Sequence, residues 1–276
     1  MASAPLPAPQ KPAIPPGQGV NRRFATGRAV LALMLREMGT RYGRSPGGYV
    51  WALLEPMGAI LILSIGFSLI IRSPALGSSF ILFFATGFLP FSLYQNISNN
   101  VARSINFSRA LLFYPAVTWT DAVLARFLLN TLTDLLVILI IFTAILGITE
   151  TRVLLDFGPV LQSVALATFL GLSVGVLNCA LIGLLPIWAQ VWAILTRPLF
   201  LMSGVIFLFG DLPQVAQNIL WYNPLVHIVG LMRRGFYPTY GAEYVSVTFV
   251  VAVSLICLFM GVVLMGRYHR DILNDF

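Results

Sequence analysis

The chain has 276 residues and a mass of 30.3 kDa; 58% of its residues are hydrophobic and only 10% are charged. A soluble domain carries roughly 25% charged residues, so this sequence has too little polar surface to coat a soluble fold of its size. The composition therefore excludes a soluble globular protein, a disordered protein and a coiled coil, and it indicates a polytopic membrane protein built from α-helices.

The charge balance is basic, with 17 Lys and Arg against 10 Asp and Glu. These basic residues are scattered around apolar segments, which is typical of a membrane orientation signal and not of a nucleic-acid surface. We therefore expect no nucleic-acid partner. Cys179 and Cys257 both lie within apolar runs, and two cysteines are too few for a disulfide framework, so we interpret both as buried apolar residues.

The chain begins with a proline-rich leader that holds six prolines in its first 20 residues and lacks the apolar core of a signal peptide. This composition predicts a disordered cytosolic leader over residues 1–24. Residues 25–276 are then expected to form one transmembrane domain.

Residues 28–42 predict an amphipathic helix that lies in the membrane interface. One side of this helix is apolar and the opposite side carries Arg28 and Arg36. Glu37 and Arg41 are spaced as an i,i+4 ion pair. The apolar side comprises Val30, Leu31, Met34, Leu35, Met38 and Tyr42.

Six apolar runs are each long enough to cross about 30 Å of hydrocarbon. An even number of crossings puts both termini on one side of the membrane. Eleven of the 17 basic residues lie on that side and four on the other, which predicts that both termini are cytosolic. The runs are 50–71, 80–101, 123–147, 159–183, 189–209 and 245–266.

The stretch 210–244 does not fit a simple loop. Glycines and prolines divide it into two short apolar pieces, Gln214–Tyr222 and Leu225–Met232, neither of which can span a bilayer. We expect re-entrant or interfacial helices here, on the extracytoplasmic side before the last span. Such segments require protein or water to satisfy their exposed backbone groups.

Catalytic motifs are nearly absent. The topology separates His227 from His269, so no histidine pair can bind a metal ion. The residues Gly171–Gly175 match G-x-S-x-G, but they lie in the middle of a predicted helix, where they indicate close helix packing. No lysine follows Lys11, so the chain cannot supply the lysine of a phosphate-binding loop. We expect no enzyme activity and no cofactor in this chain; ATP and Mg would be bound by a separate ATPase.

Polar side chains within membrane spans are costly and are usually functional. Arg126, Asn130 and Asp134 recur at i, i+4 and i+8, as do Gln95, Asn99 and Arg103. The candidate substrate path consists of Trp51, Glu55, Tyr94, Gln95, Asn99, Arg103, Arg126, Asn130, Asp134 and Arg197. An alternative stays open, in which Asp134 pairs with Arg103 or Arg126 only to hold helices together and the aromatic residues form an interfacial belt.

Several segments resemble the ABC-2-type transporter permeases, and they are most similar to those that export capsular polysaccharide. The resemblance covers roughly residues 28–270. The matching residues are Arg41–Ser45, Gly48–Pro56, Arg197–Phe200, Ser203–Phe207, Leu212–Pro213, Asn223–His227 and Arg233.

The resemblance implies six transmembrane helices and a multi-pass location in the bacterial inner membrane. It also implies a homodimer bound to two copies of a separate ABC ATPase, with a periplasmic adaptor and an outer-membrane channel as further partners. The ATPase is expected to dock on the loop after the second span, where an apolar and aromatic cluster lies outside lipid. This cluster comprises Arg109, Leu112, Phe113 and Tyr114.

The main hypothesis is a permease subunit of an ATP-driven exporter that moves an anionic, lipid-anchored capsular polysaccharide. The second hypothesis is an ABC-2 exporter of O-antigen-type polysaccharide, lipid or drug. The third is an intramembrane enzyme acting on a lipid-linked sugar, which would need two carboxylates flanking a bond.

Overall fold

The computed structural model of the chain describes residues 25–41, 48–113, 117–148 and 154–274, and the predicted leader over 1–24 lies outside them. All regular structure in these ranges is helical. The helices are α1 (Ala25–Arg41), α2 (Gly48–Ser68), α3 (Phe80–Ala102), α4 (Ser104–Leu112), α5 (Trp119–Ile148), α6 (Phe157–Leu184), α7 (Trp188–Met202), α8 (Gln214–Leu220), α9 (Pro224–Phe236) and α10 (Val247–Asn274).

Five helical stretches in the described ranges are long and apolar enough to cross a membrane, which makes the chain a multi-pass membrane protein. Four of them are α2, α5, α6 and α10 or most of each, and the fifth joins α3 to α4. The predicted runs 50–71, 80–101, 123–147, 159–183 and 245–266 correspond to these stretches, with ends that differ by a few residues.

The remaining predicted run, 189–209, is helical only as far as Met202. Fifteen residues span about 22 Å, which is less than the roughly 30 Å of the hydrocarbon core. The helix contains Pro198 and ends before Gly204, whose φ of +75° takes the chain out of the helical conformation. A sixth full-length span therefore stays a prediction.

The centre of the bundle is the contact between α3 and α6. A Cβ atom added at Gly171 would lie 3.0 Å from Cβ of Ile97, and one added at Gly175 would lie 2.7 Å from Cβ of Val101. The two helices can approach this closely only because neither glycine has a side chain. The prediction that Gly171–Gly175 is a packing motif is confirmed.

Four helices, α1, α4, α5 and α10, meet at one end of the bundle, which we call the α4 end. Val30 and Leu33 of α1 pack against Ala125 of α5. Arg109 of α4 donates a hydrogen bond to the carbonyl oxygen of Leu273 at a distance of 3.2 Å. The N-terminal helix and the last turns of α10 therefore lie at the same end of the bundle.

At the opposite end, the buried helix α9 contacts α3, α6 and α10. Arg233 of α9 is only 1% exposed and donates hydrogen bonds to the carbonyl oxygens of Phe207 (2.7 Å) and Val205 (2.9 Å). Its guanidinium carbon lies 4.4 Å from the ring centroid of Phe83. Arg233 thus satisfies backbone groups that the irregular chain after α7 leaves without helical partners.

His227 ties α9 to the segments on both sides of it. Its Nδ1 accepts a hydrogen bond from the backbone N–H of Ser246 (3.1 Å), which leaves Nε2–H to donate to the carbonyl oxygen of Trp221 (2.8 Å). Burial lowers the pKa of His227, and burial raises the pKa of the nearby Tyr237 to about 12. Both side chains are therefore neutral at physiological pH.

Substituting Gly175 should destabilise the fold because even one methyl group overlaps Val101. We expect Gly175→Ala to lower the free energy of unfolding by about 1–3 kcal/mol, the usual cost of overpacking a filled core. Gly66→Ala on α2 is the matched control, since no atom lies within 4 Å of the added Cβ. The measurement is the thermal midpoint of the purified protein in detergent, and equal midpoints for the two variants would contradict the packing role.

Replacing Arg233 should destabilise the fold, because the carbonyl groups of Val205 and Phe207 would lose their hydrogen-bond donor. We expect Arg233→Gln to lower the free energy of unfolding by about 3 kcal/mol, because each hydrogen bond from a charged donor contributes roughly 1.5–3 kcal/mol. The neighbouring Arg234 is exposed, so Arg234→Gln serves as the control. A denaturant titration that finds both variants equally stable would show that Arg233 does not stabilise the irregular chain after α7.

Candidate functional site

A polar cleft of about 300 Å³ lies between α2, α3 and α5. It starts near the α4 end and extends into the membrane-spanning part of the bundle. Its side chains are mostly amides, hydroxyls and carboxylates, together with the ring of Trp51. The lining residues are Gly48, Trp51, Ala52, Glu55, Pro56, Phe88, Ser92, Asn96, Asn100, Asn130, Thr133 and Asp134.

One hydrogen bond joins α3 to α5 beside the cleft, and two more hold side-chain amides against the backbone of their own helix. Asn96 Nδ2 donates to Asp134 Oδ1 at 3.3 Å, and Asn100 Nδ2 donates to the carbonyl oxygen of Asn96 at 2.8 Å. Asn130 Nδ2 donates to the carbonyl oxygen of Arg126 at 2.7 Å. This network orients the amide oxygens and the Asp134 carboxylate relative to the open space.

A second space of about 500 Å³, which we call the vestibule, adjoins the cleft at the α4 end through Asn100. It contains Arg103, whose side chain is exposed, and Arg126, which is buried. The other residues lining the vestibule are Thr40, Asn106, Phe107, Ile182 and Ala189.

The cleft closes away from the α4 end. Beside Leu89, Val137 and Ile138 the open space has a volume of only about 20 Å³. Beyond that point lies an apolar groove of about 120 Å³ that includes Ile60 and Ile141. In this conformation the polar surface therefore reaches only part of the way along the bundle.

The structure brings together four of the predicted path residues in the cleft, namely Trp51, Glu55, Asn130 and Asp134. Arg103 and Arg126 line the vestibule. The other four lie elsewhere: Tyr94, which is buried, Gln95 and Asn99, which are half-buried on α3, and Arg197, which is exposed on α7.

Arg126 and Asp134, one of the pairings left open as an alternative, each contact another residue. Arg126 Nε lies 3.1 Å from Glu37 Oε1 of α1, and Asp134 contacts Asn96. Glu37, which the sequence places in an i,i+4 pair with Arg41, is 2% exposed and turned towards α5, and the Arg41 side chain lies outside the described part of the structure. A long arginine side chain on α5 can reach across to α1, and sequence spacing within a single helix does not reveal such a contact.

The cleft is lined by a stripe of α3 that differs from the predicted one. Ser92, Asn96 and Asn100 are also spaced at i, i+4 and i+8, one residue away from the predicted Gln95, Asn99 and Arg103. Both stripes are polar, so only the position of α5 selects between them. Glu37 did carry a signal, because its spacing from Val30 and Leu33 places all three on one helix face.

The predicted ATPase-docking residues lie at the α4 end, except that Tyr114 falls outside the described residues. Phe113 is 63% exposed. Leu112 is half-buried against the core, and Arg109 is held by the Leu273 carbonyl group. Elsewhere, the described parts of the chain bring no three His, Cys, Asp or Glu side chains together as a metal site requires.

Comparison with known proteins places this architecture in a family. Residues 28–237 match the ABC-2 type transporter family. The polysialic acid transport protein KpsM of Escherichia coli is 32% identical over 246 residues, which cover 89% of this chain and 95% of KpsM.

Two further relatives are named for capsule export. The capsule polysaccharide export inner-membrane protein BexB of Haemophilus influenzae is 28% identical over 250 residues, covering 89% of this chain and 93% of BexB. The capsule polysaccharide export inner-membrane protein CtrC of Neisseria meningitidis serogroup A is 24% identical over 245 residues, covering 89% of this chain and 92% of CtrC. This chain belongs to the ABC-2 type transporter family.

Proposed function

We propose that this chain is the permease subunit of an ATP-driven exporter that moves an anionic, lipid-anchored capsular polysaccharide across the bacterial inner membrane. The family and the names of the relatives support an exporter of this class. The observation that carries the proposal is the polar cleft, which opens at one end of the bundle and is lined for a hydroxyl-rich substrate.

The chemistry of the cleft suits a sugar chain. The amides of Asn96 and Asn130 can both donate and accept hydrogen bonds, and the Asp134 and Glu55 carboxylates accept them from hydroxyl groups. The Trp51 ring is 59% exposed and offers a flat apolar face to a sugar ring. Because carboxylates repel an anion, the acidic groups of the substrate are expected to contact Arg103 in the vestibule.

The α4 end is proposed to face the cytosol, in agreement with the excess of basic residues on that side. The chain after α7 continues to Val205, which lies beside Gly87 of α3, so α7 together with residues 203–209 provides the sixth crossing. On this topology α8 and α9 form the extracytoplasmic re-entrant segment, in which Arg233 satisfies carbonyl groups of residues 203–209 and His227 bonds to backbone groups on both sides of α9.

The energy source is proposed to be a separate ATPase that binds ATP and Mg and docks on α4. The exposed ring of Phe113 supports this position, because it offers an apolar contact to a protein partner at the cytosolic end of the bundle. Following the family resemblance, we propose a homodimer with two ATPase copies, and a periplasmic adaptor and outer-membrane channel that receive the polymer.

An exporter of lipid, drug or O-antigen-type polysaccharide is the second candidate. The apolar groove beyond the cleft favours a lipid or drug, because Met57, Ile60, Ile141 and Ile145 would contact a hydrocarbon chain. The proposed lipid-anchored polymer would also place its anchor against apolar residues. The two candidates therefore differ in whether the amides of the polar cleft are required.

The test is export by cleft variants in cells that lack their own permease and carry the cognate ATPase. We expect Asn96→Leu and Asn130→Leu each to lower surface polysaccharide about fivefold at unchanged membrane abundance, the factor that corresponds to one lost hydrogen bond of about 1 kcal/mol. Gln162→Leu is the control, since Gln162 is an exposed amide on α6 outside the cleft. Normal polymer export from the double cleft variant would contradict the proposal.

A further inference from the structure

Arg126 lies at a junction of four helices. From α5 its guanidinium group reaches Glu37 of α1, with 3.1 Å between Nε and Oε1. Its Nη1 donates a hydrogen bond to the carbonyl oxygen of Asn100 near the end of α3, at 3.0 Å. The guanidinium carbon is 4.1 Å from the ring centroid of Phe107 on α4. One side chain therefore contacts α1, α3 and α4 at once.

The ion pair is removed from water, since the Glu37 side chain is 3% exposed and the Arg126 side chain is 9% exposed. A charge at such a site is costly unless its partner stays in place, so each of the two residues holds the other in position. Because Glu37 neutralises Arg126, the guanidinium group does not present a net positive charge to the vestibule. This geometry argues against Arg126 as a binding site for an anionic substrate.

The other described contacts that attach α1 to the bundle are a small apolar cluster and a second cation–ring contact, in which the guanidinium carbon of Arg36 lies 5.7 Å from the ring centroid of Phe107. The apolar contact of α1 with α5 is a small cluster of Val30, Leu33 and Ala125, separate from the main core. Leu31 and Leu35 of α1 are 56% and 60% exposed, so they do not pack against the rest of the chain. The Glu37–Arg126 pair is therefore a large part of what fixes α1 relative to α4 and the cleft.

We propose that Glu37 is a positioning residue for transport, which acts through Arg126 to make α1, α4 and the Asn100 end of the cleft move as one unit. This inference rests on the proposed function, in which an ATPase moves α4. When α4 shifts, Phe107 carries the Arg126 guanidinium group with it, and the hydrogen bond to Asn100 transmits the shift to the mouth of the cleft. Glu37 keeps Arg126 oriented towards all three contacts.

The experiment compares Glu37→Gln, Arg126→Gln and the double variant in the full exporter with its ATPase. Surface polymer, membrane abundance and ATP hydrolysis in membrane vesicles are measured together. We expect Glu37→Gln to lower polymer exported per ATP hydrolysed about tenfold, within the range by which single contacts modulate coupling between sites. Arg126→Gln should lower the ratio at least as much, and the double variant should lose no more than Arg126→Gln alone, because Glu37 acts only through the contacts of Arg126 with Asn100 and Phe107.

Arg270→Gln is the matched control, since Arg270 is an exposed cation in the last turns of α10 at the same end of the bundle. Its ratio of export to hydrolysis should equal that of the unmodified chain. A parallel fall of membrane abundance and export in Glu37→Gln would show a structural role only and overturn the proposal. A normal ratio in Glu37→Gln, with equal losses in Arg126→Gln and the double variant, would return Arg126 to the substrate path and also overturn it.

The unmodified chain separates this inference from the proposed function. If it restores no surface polymer in the same strain, the proposed substrate is wrong. The role of Glu37 is then tested by measuring ATP hydrolysis by the ATPase with and without the permease chain. Equal stimulation of the ATPase by the unmodified chain and by Glu37→Gln would overturn the positioning role.

Discussion

Backbone hydrogen bonding in a medium without water is the constraint on which this structure depends. Along α5, α6 and α10 the helices satisfy their own backbone groups, and along α2 and α3 they do so except at Pro56 and Pro90. A larger exception is the chain after Met202, which leaves the helical path inside the bundle. Arg233 supplies two donors at that point, and the absence of a side chain at Gly87 leaves room for its guanidinium group, since a Cβ there would lie 3.3 Å from Nη2.

The same constraint explains why the polar side chains of the spans are arranged in a connected network. An amide such as Asn96 within a span is costly unless it has a partner, and here its Nδ2 donates to the Asp134 carboxylate of α5 and to the Ser92 hydroxyl group of α3. These contacts leave further acceptor atoms available to the open space. The polar side chains of the cleft therefore bond to one another, and we propose that they also bind a polar molecule. An ion pair with a purely structural role would not offer this capacity.

The two arginines of the vestibule differ from each other in their surroundings. The buried cation Arg126 is balanced by Glu37, whereas Arg103 is exposed in the vestibule. Arg126 thus connects helices, and Arg103 is the arginine that we propose contacts an anionic substrate. Export by this family member would then depend on neutral hydrogen bonding within the cleft, with attraction of anions confined to its entrance.

Much of the fold could be predicted from the sequence, because long apolar runs require membrane helices and glycines four residues apart allow close packing. Five spans and the Gly171–Gly175 contact followed from these local rules. The break after Met202 depends on Arg233, which lies 31 residues later, and the choice between the Asn96 and Gln95 stripes depends on where α5 packs. Such long-range contacts leave no periodic signal within one helix, so the site was predicted only in part.

The central claim is that the cleft between α2, α3 and α5 is the water-accessible part of the transport path. Single cysteines at Asn96 and Asn130, in a chain with Cys179 and Cys257 replaced by alanine, can be exposed to a membrane-impermeant thiol reagent added from the cytosolic side. The account predicts rapid labelling at both positions and none at Leu132 and Leu139, which are exposed on the outer surface of α5. Equal labelling at all four positions, or none at Asn96 and Asn130, would contradict it.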